Sequence, residues 1–271
     1  LSDAIAEGRD TFLQSELEEL HPADIAEIFD QLKAPELSYL FKLLEGEKAA
    51  DVMIELDEDD REKLLSTLTS KEIANRVIDI IDSDDAADLL AELSDKKQAE
   101  VIANITDAEQ RSDISDLLLY DEDSAGGIMA KELVKVRRSW TIARSIREMR
   151  KQAEDIDNVY TIYVTDDEDK FVGTLSLKNL LFSSSSIKTP ISDIYSEQPL
   201  HYVFPDTSGE DCSNTMEKYD LVVLPVVDHD MTLLGRITID DVVDLIKEEA
   251  ERDYQLASGI SESVESDDAV W

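Results

Sequence analysis

The chain is 271 residues long, with 64 Asp and Glu against 26 Lys and Arg, a net charge of −38. So acidic a surface repels nucleic acid and anionic lipid headgroups and attracts cations, while 42% hydrophobic content excludes wholesale disorder. The lone cysteine, Cys212, excludes an internal disulfide framework and any multi-cysteine zinc site.

The acids are unevenly spread. Residues 1–130 hold 35 acids and 11 bases, residues 131–250 hold 23 and 14, and residues 251–271 hold 6 and 1. The longest apolar runs, such as Leu221 to Val227, fall far short of the roughly 18 residues of a spanning helix. The chain opens on Leu and stops at Trp271 with no signal peptide, and reads as a soluble, excised fragment.

From Glu47 to Ala125 there is neither glycine nor proline, and apolar residues recur at three- and four-residue steps, as in Ile73, Val77, Ile80 and Ile81. That periodicity predicts helices. Polar breaks at Asp57 to Asp60, Ser70, Ser83 to Asp85, Ser94 and Asp107 supply N-caps at intervals of two to four turns. Ala23-Asp24-Ile25-Ala26, Ala50-Asp51-Val52-Met53 and Ala87-Asp88-Leu89-Leu90 read as copies of one helix, which predicts an all-helical superhelical solenoid; a plain bundle is the alternative.

Near Ser124-Ala125-Gly126-Gly127 the pattern changes to period-two apolar runs divided by turns. Two strands over Asn158 to Thr165 and Phe171 to Leu177, then a helix from about Lys178, are matched by Asp220 to Asp228, Leu233 to Ile239 and a helix from about Asp240. Gly173 and Gly235 set the copies 62 residues apart. An amphipathic helix precedes each pair of strands, carrying Ile142, Ile146 and Met149 in one and Met216 in the other. The serine-rich stretch Phe182 to Pro190 reads as a flexible linker, Val242 to Ala257 as an acidic helix, and the residues beyond Ser258 as a polar tail. The predicted divisions are 1–123, 124–187, 188–250 and 251–271.

The paired units resemble tandem cystathionine-β-synthase-type (CBS) domains. An acidic helical domain with His21-Pro22-Ala23-Asp24, the run Asp121-Glu122-Asp123-Ser124-Ala125-Gly126-Gly127-Ile128-Met129 and a second unit ending in Thr238-Ile239-Asp240-Asp241-Val242-Val243-Asp244 together resemble the cytosolic part of an MgtE-type magnesium channel. The resemblance implies an α plus α/β fold: helical solenoid, CBS pair and C-terminal connecting or plug helix. It further implies a homodimer through the CBS domains and a transmembrane domain of the same protein as partner, at the cytoplasmic face of the plasma membrane.

The implied cofactor is Mg²⁺, bound among carboxylates so as to hold a pore closed. Carried over by position, the ligands are Asp51, Asp84, Asp85 and Asp88 in the helical domain and Asp241 and Asp244 in the second unit, with Glu248, Glu249 and Asp253 around the plug segment. Where relatives have an acid there, this chain has Arg252, which is expected to pair with a carboxylate and partly replace a cation. Spacing agrees independently: Asp85 and Asp88, like Asp241 and Asp244, lie three residues apart on one helical face. Hard oxygen donors without a closed cage suit partly hydrated Mg²⁺ or Ca²⁺. The competing reading of each Asp is an N-cap or a solvated face.

CBS pairs also imply adenine nucleotide, through Ser/Thr-x-x-Asp. The second copy keeps Thr238 and Asp241; the first has Asn179 after Ser176, and Thr161 in place of a tyrosine. No nucleophile motif or metal-type histidine spacing is present, so no enzyme is predicted; His21, His201 and His229 read as structural. The alternatives are a nucleotide-sensing CBS module of another transporter or enzyme, and a scaffold offering an acidic face to a basic protein.

Overall fold

The structure, a computed structural model, describes residues 4–5, 7–153, 156, 159–182, 186–196 and 200–258; the side chains of 248–249, 251, 253 and 255–258 lie outside that description. The chain folds as two units, 1–120 and 121–271.

The first unit is helical throughout: α1 (Asp10–Glu19), α2 (Pro22–Phe29), α3 (Ala34–Leu43), α4 (Glu47–Glu55), α5 (Glu58–Thr67), α6 (Ser70–Ile73, continuing as a π-helical turn over Ala74–Ile78), α7 (Ser83–Ala91), α8 (Asp95–Ile102) and α9 (Ala108–Leu117). Helices pack mainly on the helix two places along: α1 on α3, α2 on α4, α3 on α5, α4 on α6, α6 on α8 and α7 on α9. That is the stacking of a solenoid, in which no helix pair buries its apolar face alone. The three predicted copies lie in α2, α4 and α7; Ile25, Val52 and Leu89 point into one continuous core, and Asp24, Asp51 and Asp88 point outward.

Of the predicted caps, Asp57 accepts from the Asp60 amide and Asp107 from the amides of Glu109 and Gln110. Ser94 holds the N-cap position of α8. Two caps fall one residue earlier than expected. Thr69 replaces Ser70 because Glu72, three residues on, reaches back to the Thr69 amide and closes a capping box; Asp82 replaces Ser83, which is buried.

The second unit contains two related halves. The first has β1 (Lys135–Arg137), α10 (Ile142–Gln152), β2 (Ile162–Thr165), β3 (Phe171–Leu175) and α11 (Leu177–Phe182); the second has α12 (Gly209–Tyr219), β4 (Val223–Val227), β5 (Leu233–Thr238) and α13 (Ile239–Ser258). Strand β2 runs parallel to β1 and antiparallel to β3, while β4 and β5 are antiparallel.

The 62-residue repeat holds in detail. Asp166 accepts from the amides of Glu168 and Lys170, and Asp228 from those of Asp230 and Thr232. Asp169 and Met231 occupy matching left-handed positions at φ 65° and 64°. The two turns meet through the Lys170 to Thr232 bridge, and Tyr163, Phe171 and Val227 form a core shared by both halves.

Sequence reasoning divides the halves at 187/188, but the chain interleaves them. The lead-in to the first half pairs with the second: Ser124 bridges Ser208 and Ala130 bridges Arg236. The lead-in to the second half pairs with the first, Thr174 bridging Ser196. This explains both glycines, since a Cβ on Gly173 would lie 2.3 Å from the Ser196 oxygen and one on Gly235 2.6 Å from the Ala130 oxygen. The predicted linker is also partly tied, as Ile187 and Thr189 accept from the amides of Ala143 and Ile142; its residues 183–185, like the tail beyond Ser258, lie outside the described residues.

Candidate metal and nucleotide sites

Three predicted ligands of the helical unit share the N-terminal half of α7. Asp84 and Asp85 are half-buried in its first turn, Asp84 accepting from the Asp85 amide at 3.0 Å, and Asp88 is exposed one turn later. Acids there are favoured by the positive end of the helix. Asp51 is exposed on α4.

In the second unit Asp241 sits in the first turn of α13, where both oxygens are engaged by Thr238: the amide donates to Oδ2 at 2.6 Å and the hydroxyl to Oδ1 at 2.8 Å. Burial pushes the Asp241 carboxyl above the usual carboxylate range, outweighing the Thr238 donors, with Asp240 adding repulsion and Arg236 opposing it. A half-buried acid beside another acid is a place where a cation stabilises the ionised form. Asp244 is exposed and paired with Lys247 at 2.6 Å. Glu248, Glu249 and Asp253 lie on the same helix, but their side chains fall outside the described residues.

Arg252 does find a carboxylate, that of Asp123 at 3.3 Å, 129 residues earlier. Local spacing gives no sign of this pairing, which follows from Asp123 being drawn in where its carbonyl accepts from the Gly209 amide. A second group that sequence reasoning missed is in the helical unit: Asp30, Asp57 and Asp60 each bring a carboxylate oxygen within 4.8 Å of the others.

The predicted nucleotide pair, Thr238 and Asp241, is thus engaged internally as a helix cap. In the first half the closure runs the other way, the Asn179 backbone amide donating to Ser176 Oγ at 3.1 Å. Between the halves Tyr160, Thr161, Tyr163, Val223 and Arg236 line a cavity of about 10 Å³. That is water-sized, against the hundreds of Å³ of a ligand pocket. The Arg236 guanidinium lies 5.8 Å from the Tyr160 ring centroid.

The histidines have structural roles: His21 caps α2, His201 stacks on Tyr219 and His229 lies against Phe204. Burial pushes the Cys212 thiol up to about 11, which removes it as a nucleophile. No helix among the described residues is long and apolar enough to cross a membrane.

Residues 20–123 match the MgtE intracellular N domain, and residues 125–186 and 191–248 match the CBS domain. The magnesium transporter MgtE of Thermus thermophilus is 33% identical over 254 residues, covering 93% of this chain and 56% of that protein. The chain therefore spans about half the length of this relative. A solved structure of the cytosolic domain of the Mg²⁺ channel MgtE in complex with ATP superposes with a TM-score of 0.82 at 33% identity, covering 90% of this chain and 98% of that one. The soluble part of a magnesium transporter gives 0.79 at 27% identity, covering 92% and 96%. Helical repeats running through the Asp121 to Met129 turn into an interleaved CBS pair, matched along both parts by these relatives, make the chain a member of the MgtE magnesium-transporter family.

Proposed function

We propose that this chain is the Mg²⁺-sensing gating module of a magnesium channel, acting at the cytoplasmic face of the membrane on a transmembrane domain of the same longer protein. Mg²⁺ bridges carboxylates of the helical unit (Asp51, Asp84, Asp85, Asp88) to those of the second unit and its last helix (Asp241, Asp244, with Glu248, Glu249 and Asp253), and so stabilises a compact closed state. The observation that carries this reading is Asp241, whose carboxyl is driven above its ordinary range by burial in the first turn of α13. A neighbouring carboxylate at 4 Å would add repulsion of roughly 4 kcal/mol at an effective dielectric of 20, which a divalent cation reverses. Moving the module from mostly open to mostly closed takes about 5 kcal/mol of preferential binding, within reach of several weak sites acting together.

Pairing of two copies through the CBS halves is part of the proposal. It is supported by an unpaired apolar row on α13, where Ile239, Val243 and Ile246 recur on one face and are exposed, and by exposed Leu177, Leu181 and Phe182 on α11. Burying such rows is the usual reason for their presence.

Small-angle scattering with millimolar Mg²⁺ against Na⁺ of equal ionic strength tests the switch. The radius of gyration is expected to fall with Mg²⁺ alone; an unchanged value refutes the proposal. Adenine nucleotide is a second reading, supported by the ATP complex of the similar MgtE domain and opposed here by Asn179 and the Thr238–Asp241 closure. Calorimetric titration with ATP separates the two.

A further inference from the structure

We propose that Asp30, Asp57 and Asp60 form a second kind of cation site, lying wholly inside the helical unit and taking a single hard divalent ion. It shares no ligand with the sites above and does not rest on the gating reading. Asp60 is the anchor. It stands in the first turn of α5 with 2% of its surface exposed. Its Oδ1 receives the Lys63 ammonium at 2.7 Å, whereas its Oδ2 is buried without a hydrogen-bond donor. A buried carboxylate oxygen left in that condition costs free energy that a hydrogen bond or a cation removes.

The other two acids arrive from opposite helix ends. Asp57 is the N-cap of α5, its Oδ1 held by the Asp60 amide at 2.8 Å. Asp30 is the C-cap of α2, 27 residues earlier, and is exposed. Carbonyls at a helix C-terminus favour a positive charge, so the α2 end contributes to a field that the α5 end alone would oppose.

The spacing fits a metal. One carboxylate oxygen from each of the three lies within 4.8 Å of the other two. Two oxygens on one ion are separated by at most twice the metal–oxygen distance, about 4.8 Å for Ca²⁺ and about 4.2 Å for Mg²⁺. Three oxygens gathered within that limit can converge on one calcium-sized ion by side-chain adjustment, and Mg²⁺ requires a tighter approach. Charge favours a cation as well: the three carboxylates, with Asp59 acting on the same Lys63 ammonium, leave the group net negative. Exposure of Asp30 and Asp57 leaves the remaining coordination positions to water, the usual state of weakly held Mg²⁺.

Paramagnetic Mn²⁺ is a probe for this site, read by amide line broadening in the whole isotope-labelled chain. Broadening is expected at Asp30 and Asp57 to Asp60, reversed by excess Ca²⁺ or Mg²⁺. Asp30→Asn changes an exposed side chain, and should raise at least tenfold the Mn²⁺ needed for equal broadening at Asp57 and Asp60. Asp51→Asn should leave that dose unchanged. Absence of broadening there at Mn²⁺ concentrations that broaden α7, or an unaltered dose in Asp30→Asn, overturns the assignment. Because the readout is local, its failure is distinct from a failure of the scattering test.

Discussion

Replacing Gly173 by alanine tests the interleaving of the two halves. The new Cβ would lie 2.3 Å from the Ser196 carbonyl oxygen and 2.6 Å from the Tyr195 ring, about 1 Å inside ordinary contact. The obstacle is backbone, held by reciprocal bonds in which the Ser196 amide donates to the Thr174 oxygen at 2.9 Å and the Thr174 amide to the Ser196 oxygen at 3.2 Å. Overpacking costs about 1–3 kcal/mol and each of the two weakened hydrogen bonds about 1 kcal/mol, so a loss of about 3–5 kcal/mol is expected. Urea unfolding followed through Trp140, which packs on the core of the first half, gives the midpoint. A Gly173→Ala loss below about 1 kcal/mol, the low end of an overpacking cost, would refute the crossing of the 191–196 segment onto β3.

Neutralising Asp84, Asp85 and Asp88 together to Asn should make the compact form less dependent on Mg²⁺, seen as a weaker response of the radius of gyration; an unaltered response removes α7 from the switch. Val243→Asp should shift sedimentation toward the single chain if the α13 row is the pairing surface, and an unchanged profile places pairing elsewhere. The Asp228 carboxyl is held below the usual carboxylate range, chiefly by the Thr232 amide, so the unfolded chain takes up this proton first. Its contribution to stability is full above the ordinary aspartate value of about 4 and is lost as pH falls through the depressed value. A side-chain carboxyl titration by NMR checks this, and a midpoint at or above 4 contradicts it.

Most of the helical unit was legible because helix formation is local: an uninterrupted run without glycine or proline, apolar residues at three- and four-residue steps, and polar breaks. Where a cap moved by one residue, as at Thr69, a second local partner decided it. The repeat was legible through Gly173 and Gly235, which mark a close backbone approach. What approaches them was not, because Ser196 and Ala130 come from the lead-in of the other half and no short-range pattern encodes that exchange. Strand β1 was missed for a related reason: in Lys135-Val136-Arg137 only Val136 is buried, too little to register as alternation. Carboxylates clustered along one helix, such as Asp84, Asp85 and Asp88, can be picked out by spacing. Asp30 meets Asp57 and Asp60 only through helix stacking, and Arg252 meets Asp123 only through the path of the entering chain.

That last pairing gives the second unit an unusual mechanical layout. The chain enters it at Asp121 to Ala125, where the Gly209 amide and the Arg252 guanidinium both hold Asp123, and its last described helix departs past the same point. Leu245 of α13 packs so closely on Gly209 that a Cβ there would lie 1.9 Å from the leucine Cδ2. The start of the unit and its last described helix are thereby joined side by side by contacts outside both sheets.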